Sequence, residues 1–350
     1  MTRALVFVVP GDLDTRTGGY EYDRRMIEAL RQRGWAVTIV RLGGEYPAPD
    51  EEARKSAVLA LGAIPDGSLV VVDGLALGVL PSEATAESER LRLVALVHHP
   101  LGLETGLPAS EAAHFLESEK RALASVRSVV VTSPQTARIM IERGLVTRLP
   151  AVVVPGTRRG ELGRGSGGHE VRLLCVGSIV PRKGHAVLIE ALSGLRSLPW
   201  TLICAGSLVR DPDTADAVQA LVRERGLGNR VSFTGELLDG DLSAHYARAD
   251  VFVLPTFYEG YGMVVAEAIA HGVPVIASDT GGIADIVGDD AGMVVPPGDV
   301  DALQQALRAV ITDPARREAM AGGAWRVRER LPSWEDSAVA MEGVLLEAGA

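Results

Sequence analysis

Short runs of Val, Ile and Leu recur along the chain and alternate with stretches of helical periodicity, and this alternation restricts the fold more than any other feature. In the first half the runs are LVFVV (5–9), AVTIV (36–40), SLVVVD (68–73), LVALVHH (93–99), SVVVTS (128–133) and AVVVP (151–155). Strands that are apolar along their whole length are buried on both faces, and helical crossovers between them make the sheet parallel. The stretch after the first run places Tyr22, Met26, Ile27 and Leu30 at helical spacing and ends at Gly34.

The pattern is interrupted once, at TRRGELGRGSGGHE (157–170), where glycines and charges replace apolar periodicity. A second alternation then begins at VRLLCVGS and runs through TLICAGS, RVSFTG, DVFVLPT, PVIASDT and AGMVVPP. The expected fold class is therefore α/β, with two Rossmann-like doubly wound domains facing each other across a cleft. The expected boundaries are 1–157 for the first Rossmann-like domain, 158–170 for a linker and 171–325 for the second. Residues 326–350 are expected to form a C-terminal helix that packs back on the first domain. A length of 350 residues accommodates two such cores.

Composition narrows the function. The net charge is −10 and aromatic residues are 4% of the chain, which argues against a nucleic-acid partner held by phosphate attraction or base stacking. Cys175 and Cys204 lie inside apolar runs and read as small buried hydrophobes of a reducing compartment. The first apolar run ends at Pro10, too short to span a membrane, so a cytoplasmic protein without an integral membrane segment is expected.

In open α/β sheets ligands collect beyond the C-terminal ends of the strands, so loops that follow strands are the places to search. The segment EGYGMVVAE (259–267) follows one such strand. Glu259 falls in the loop and Glu267 about one turn into the following helix, amid apolar neighbours, where a carboxylate needs hydrogen-bond donors; ligand hydroxyls would supply them. Arg182 and Lys183 stand side by side after another strand, placed to neutralise a diphosphate. Gly18 and Gly19 open the first helix, where the backbone can approach a phosphate. His98 ends the fourth run, with His99 the alternative.

With these residues the sequence resembles the retaining nucleotide-sugar glycosyltransferases of family four, whose fold is GT-B and whose signature is the E-x7-E spacing of Glu259 and Glu267. The resemblance is strong from 171 to 312 and weak through 41–90. It implies that Glu259 binds hydroxyls of the donor sugar, Glu267 binds the ribose, and Arg182 and Lys183 hold the diphosphate. It puts Gly18 and Gly19 beside that diphosphate and His98 near the reacting face of the sugar. Gly206 borders the base, and Gly260, Tyr261, Gly262 and Met263 complete the donor set. Ser178 departs from the pattern, since many members carry Arg there, so Arg182 gains weight.

The resemblance further implies a hexosyl transfer with an α-linked product, from an NDP-sugar, with UDP-sugar as the expected base class, to an acceptor hydroxyl. No metal and no cofactor are expected. The mixed charges of the first helix favour a soluble acceptor over a lipid. Two alternatives share the fold: a non-hydrolysing UDP-sugar epimerase and a catalytically silent sugar-nucleotide-binding protein. A dinucleotide-dependent dehydrogenase is disfavoured, because no GxGxxG follows a strand.

Overall fold

A computed structural model describes residues 3–350. The described residues divide into two compact units: one runs as far as Gly156 and includes Pro332–Ala350, the other is Thr157–Leu331. Each contains a six-stranded sheet whose strands all pair in parallel.

In the first unit β1 (Arg3–Pro10), β2 (Trp35–Leu42), β3 (Leu69–Asp73), β4 (Arg92–Val97), β5 (Ser128–Val131) and β6 (Ala151–Val152) lie in the order β2-β1-β3-β4-β5-β6. β3 is buried at every residue, as a strand covered on both faces must be. The run AVVVP reads as a full strand, yet only two of its residues pair. β6 is the edge of the sheet, and Pro155 has no N–H to extend a ladder.

The helix Gly18–Gln32 follows β1. Thr17 caps it, its hydroxyl accepting from Tyr20 N at 3.2 Å, and Gly34 ends it in the left-handed region at φ +88°. Its buried stripe is Tyr22, Met26, Ile27, Ala29 and Leu30, together with one acid, Asp23.

The second unit consists of β7 (Val171–Val176), β8 (Trp200–Ala205), β9 (Val231–Gly235), β10 (Val251–Leu254), β11 (Val275–Ser278) and β12 (Gly292–Val295), in the order β12-β11-β10-β7-β8-β9. Its glycine-rich entry, 157–170, has almost no regular structure but is tied to this unit. Gly163 N donates to His271 O at 2.7 Å, Arg164 N to Ala247 O at 2.9 Å, and Ser166 N to Asp250 Oδ1 at 2.9 Å.

The last helix, Trp334–Gly349, belongs to the first unit. Ser333 and Asp336 form a reciprocal capping box at its start. Trp334 meets the Tyr22 ring edge-on at 5.6 Å, and Ser337 Oγ donates to Val154 O at 2.7 Å. Glu342, only 6% exposed, accepts from Arg33 Nε at 2.7 Å and pairs with Arg3. Arg127 Nη1 donates to Ala348 O at 3.2 Å.

Glu342→Ala is expected to lower stability by about 1–2 kcal/mol, between the values for exposed and fully buried pairs, because it strips two arginines of a buried partner. Chemical denaturation of the full chain measures this; an unchanged midpoint would mean that the last helix is held by apolar packing alone.

Candidate functional site

Two clusters of polar side chains lie at the C-terminal ends of strands, one in each unit. In the second unit β7 and β10 are neighbours in the sheet, so the loops that follow them run side by side. After β7 the chain turns at Gly177 and Ser178, makes one 3-10 turn over Pro181–Lys183, and enters the helix His185–Ser193 through Gly184. After β10 it passes Thr256–Tyr261 and enters the helix Met263–Ala270 through Gly262, at φ +97°.

Backbone and side chains lace these loops together. Phe257 N donates to Arg182 O at 2.7 Å, and Arg182 Nη1 donates to Tyr258 O at 2.6 Å. The buried Thr256 hydroxyl lies 3.0 Å from Arg182 O and 2.9 Å from Tyr258 O. Gly184 permits this approach: at φ +67° a Cβ would stand 2.0 Å from the Pro255 carbonyl oxygen.

Glu259 is the charged centre of the cluster. Its Oε1 receives Lys183 Nζ at 2.5 Å, Arg182 Nη1 at 3.4 Å and the Thr256 hydroxyl at 3.3 Å. Oε2 carries none of these contacts. Burial pushes the carboxyl up, but the charges of Lys183 and Arg182 and the hydrogen bonds from Lys183 and Thr256 outweigh it and hold Glu259 below the usual carboxylate range. The Glu259 backbone is fixed by the loop after β11, where a Cβ on Gly281, at φ +58°, would fall 1.7 Å from the Glu259 carbonyl oxygen.

Glu267 sits one turn into its helix, half-buried. The buried Tyr246 hydroxyl donates to Glu267 Oε2 at 3.0 Å, so the protein itself supplies one of the donors this carboxylate needs. Nothing in the spacing of Tyr246, 21 residues earlier, announces that contact.

The remaining expected donor residues also have definite places. Ser178 is half-buried in the turn after β7, and Gly206 N, after β8, donates to Gly235 O at 2.9 Å. Gly260 O accepts from Gly282 N at 3.2 Å, Tyr261 is buried, and Met263 opens the helix half-buried. Asp211 and Asp299, each part of an Asp-x-Asp triplet, are helix N-caps.

In the first unit His98 directly follows β4 and Asp73 ends β3, its neighbour. His98 Nε2 lies 3.1 Å from Asp23 Oδ1 and 3.5 Å from Asp73 Oδ2. Asp73 divides its oxygens, since Oδ1 accepts from Leu75 N at 2.6 Å as the cap of the next helix. Gly19 lies against the ring, where its Cβ would stand 3.2 Å from His98 Cδ2; Gly18 is the first residue of the same helix. His99 instead meets Glu104 at 3.8 Å.

Asp23 and Asp73 escaped the sequence reading. Both left a trace: Asp23 is an acid inside an apolar helical stripe, and Asp73 closes an all-apolar strand. Among the described residues, Asp23, Asp73 and His98 are the set of side chains whose ligand atoms, all within 4.8 Å of one another, could hold a metal ion.

Residues 164–325 match the family described as Glycosyl transferases group 1. The chain is 36% identical over 174 residues to a GDP-mannose-dependent alpha-(1-6)-phosphatidylinositol monomannoside mannosyltransferase of Mycolicibacterium smegmatis, covering 47% of this chain and 44% of that protein. It is 27% identical over 261 residues to an MMP alpha-(1->4)-mannosyltransferase of Mycolicibacterium hassiacum, covering 70% and 63%. The chain thus spans about half the length of the curated relatives it matches. Among solved structures, a sucrose-phosphate synthase from Thermosynechococcus elongatus superposes with a TM-score of 0.85 at 24% identity, covering 99% of this chain and 98% of that one. Anabaena HepE with UDP-glucose gives 0.79 at 19%, covering 98% and 99%. At these identities the likeness establishes the fold, the two-sheet α/β architecture GT-B.

Two outcomes test this geometry. Gly281→Ala is expected to displace the Glu259 backbone and to lower stability by about 1–3 kcal/mol while the sheet stays intact, read by chemical denaturation and circular dichroism. Because Glu259 is depressed in the folded state, its contribution to stability is full above the ordinary carboxylate value near 4.5 and is lost as pH falls through its lower folded value. Glu259→Gln should therefore flatten the acid limb of the stability curve, and an identical limb in both proteins would contradict the charge assignment.

Proposed function

Because residues 164–325 match the glycosyl transferases group 1 family, we propose that the chain transfers a hexose from a nucleoside-diphosphate sugar to an acceptor hydroxyl. The observation that carries this reading is the convergence of Arg182, Lys183 and Glu259 on two laced loops at the strand ends of the second unit.

Departure of a nucleoside diphosphate leaves charge on its β-phosphate oxygens. Arg182 and Lys183 supply fixed cationic donors for that charge, and the N-terminus of the helix Met263–Ala270 adds a positive dipole end. Lys183 spends one of its three Nζ donors on Glu259, so the same ammonium serves both partners. Glu259 Oε1 is saturated by cations and Thr256, which leaves Oε2 to accept from a sugar hydroxyl. Glu267, oriented by Tyr246, accepts from the ribose.

The donor assignment shifts with the relatives. The resemblance leads to an expectation of UDP-sugar, whereas several relatives are named as mannosyltransferases, three of them GDP-mannose-dependent; GDP-mannose is the donor proposed here. The α configuration is taken to be retained. No helix among the described residues is long and apolar enough to cross a membrane, and the acceptor is a hydroxyl of a soluble glycan or of a lipid headgroup.

Incubating the purified chain with GDP-mannose, UDP-glucose and ADP-glucose, each with a phosphatidylinositol or a soluble polyol acceptor, tests the proposal. GDP release coupled to an α-mannosylated product is expected, with Lys183→Ala reducing turnover about 100-fold or more. Product interconversion without an acceptor would point to an epimerase, and no turnover or binding of any donor would overturn the reading.

A further inference from the structure

The polar cluster of the first unit has more acid than a histidine needs. Asp23 is fully buried, Asp73 is 2% exposed, and both reach the same nitrogen, His98 Nε2. Asp23 Oδ2 has no hydrogen-bond partner although it is buried. Two buried carboxylates beside one imidazole leave uncompensated negative charge, which the fold tolerates only by retaining a cation or a proton nearby.

We propose that Asp23 and Asp73 are positioning residues that clamp His98 as an imidazolium, with Nε2–H fixed between the two carboxylates and Nδ1–H presented as a cationic donor to a hydroxyl or phosphate oxygen of the substrate. The substrate class rests on the glycosyltransferase reading; the clamp itself does not. Three observations carry it. The two carboxylates come from different elements, the first helix and the end of β3, so their convergence on one nitrogen is a tertiary arrangement. The ring has little freedom, since Tyr22 meets it edge-on at 5.1 Å and Gly19 closes its other approach. Both carboxylate contacts use Nε2, so Nδ1 is the nitrogen left for a ligand.

The titratable groups in contact with the ring are Asp23 and Tyr22 of the first helix and Asp73 of β3, while His99, next in the chain, meets Glu104 instead. Burial alone would lower His98, but the charge and hydrogen bond of Asp23, followed by those of Asp73, raise it to about 10. Asp23 is raised to about 7 by burial and by Asp73, against the opposing pull of His98. Asp73 thus raises both groups, whereas burial raises Asp23 and opposes the rise of His98.

Selective carbon-13 labelling of the seven histidines in the full chain tests this, with the His98 Cε1 resonance assigned by its loss in His98→Gln. In the natural protein the resonance should remain that of an imidazolium through pH 8. Asp23→Asn should lower its midpoint by about one to three units, with the other six resonances reporting an intact fold. In parallel, kcat of Asp23→Asn should fall as pH rises through the lowered midpoint, with the KM for the donor nearly unchanged and the natural protein flat over that range.

A His98 that is neutral at pH 7.5, or a midpoint indifferent to Asp23→Asn, would overturn the clamp. So would stoichiometric zinc moving the resonance, which would make the three groups metal ligands. A lowered midpoint with an unmoved pH profile would reduce the cluster to a structural ion pair and overturn the positioning role. The resonance reads the clamp whether or not the chain turns over a sugar nucleotide, so failure of one reading is distinct from failure of the other.

Discussion

The ion pair between Lys183 and Glu259 holds together the part of the molecule on which the functional reading depends. It joins the loop after β7 to the loop after β10, whose strands are adjacent in the sheet, and adds a charged contact to the hydrogen bonds that lace the two loops. An isolated carboxylate at 9% exposure would be costly. Here the cost is offset because one oxygen of Glu259 has two cations and a hydroxyl beside it. The arrangement is preorganised: the donors are in place through backbone hydrogen bonds and need not be assembled during reaction.

That compactness depends on missing side chains. Gly184 and Gly281 sit where a Cβ would collide with carbonyl oxygens of the β10 loop, at Pro255 and at Glu259. The left-handed backbone at both positions adds a second reason for glycine. The glycine content of the chain, 39 residues, is thus in part a requirement of close loop packing at the strand ends, beyond simple turn formation.

Much of this was legible from residues alone, for a physical reason. Parallel sheets bury their strands on both faces and leave the polar residues to the loops, so Arg182, Lys183, Glu259 and His98 stand out as polar groups in the segments that follow apolar runs. What stayed hidden is the pairing of distant groups. Asp23 and His98 are 75 residues apart, and Tyr246 and Glu267 are 21 apart, with no periodicity linking either pair. The short β6 was misjudged because apolarity measures burial, whereas strand length at a sheet edge depends on backbone donors. The segment 157–170 reads as flexible from composition but is held by backbone hydrogen bonds that composition cannot encode.

The central claim is that Arg182 and Lys183 recognise a diphosphate. Calorimetric titration of the full chain with GDP and with GMP measures it most directly, in the natural protein and in Lys183→Ala. The account predicts that GDP binds at least tenfold more tightly than GMP, about 1.4 kcal/mol, and that the variant loses most of this difference while still binding GMP. Equal affinity for the two nucleotides in the natural protein, or a preference for GDP that survives in Lys183→Ala and in Arg182→Ala alike, would contradict it.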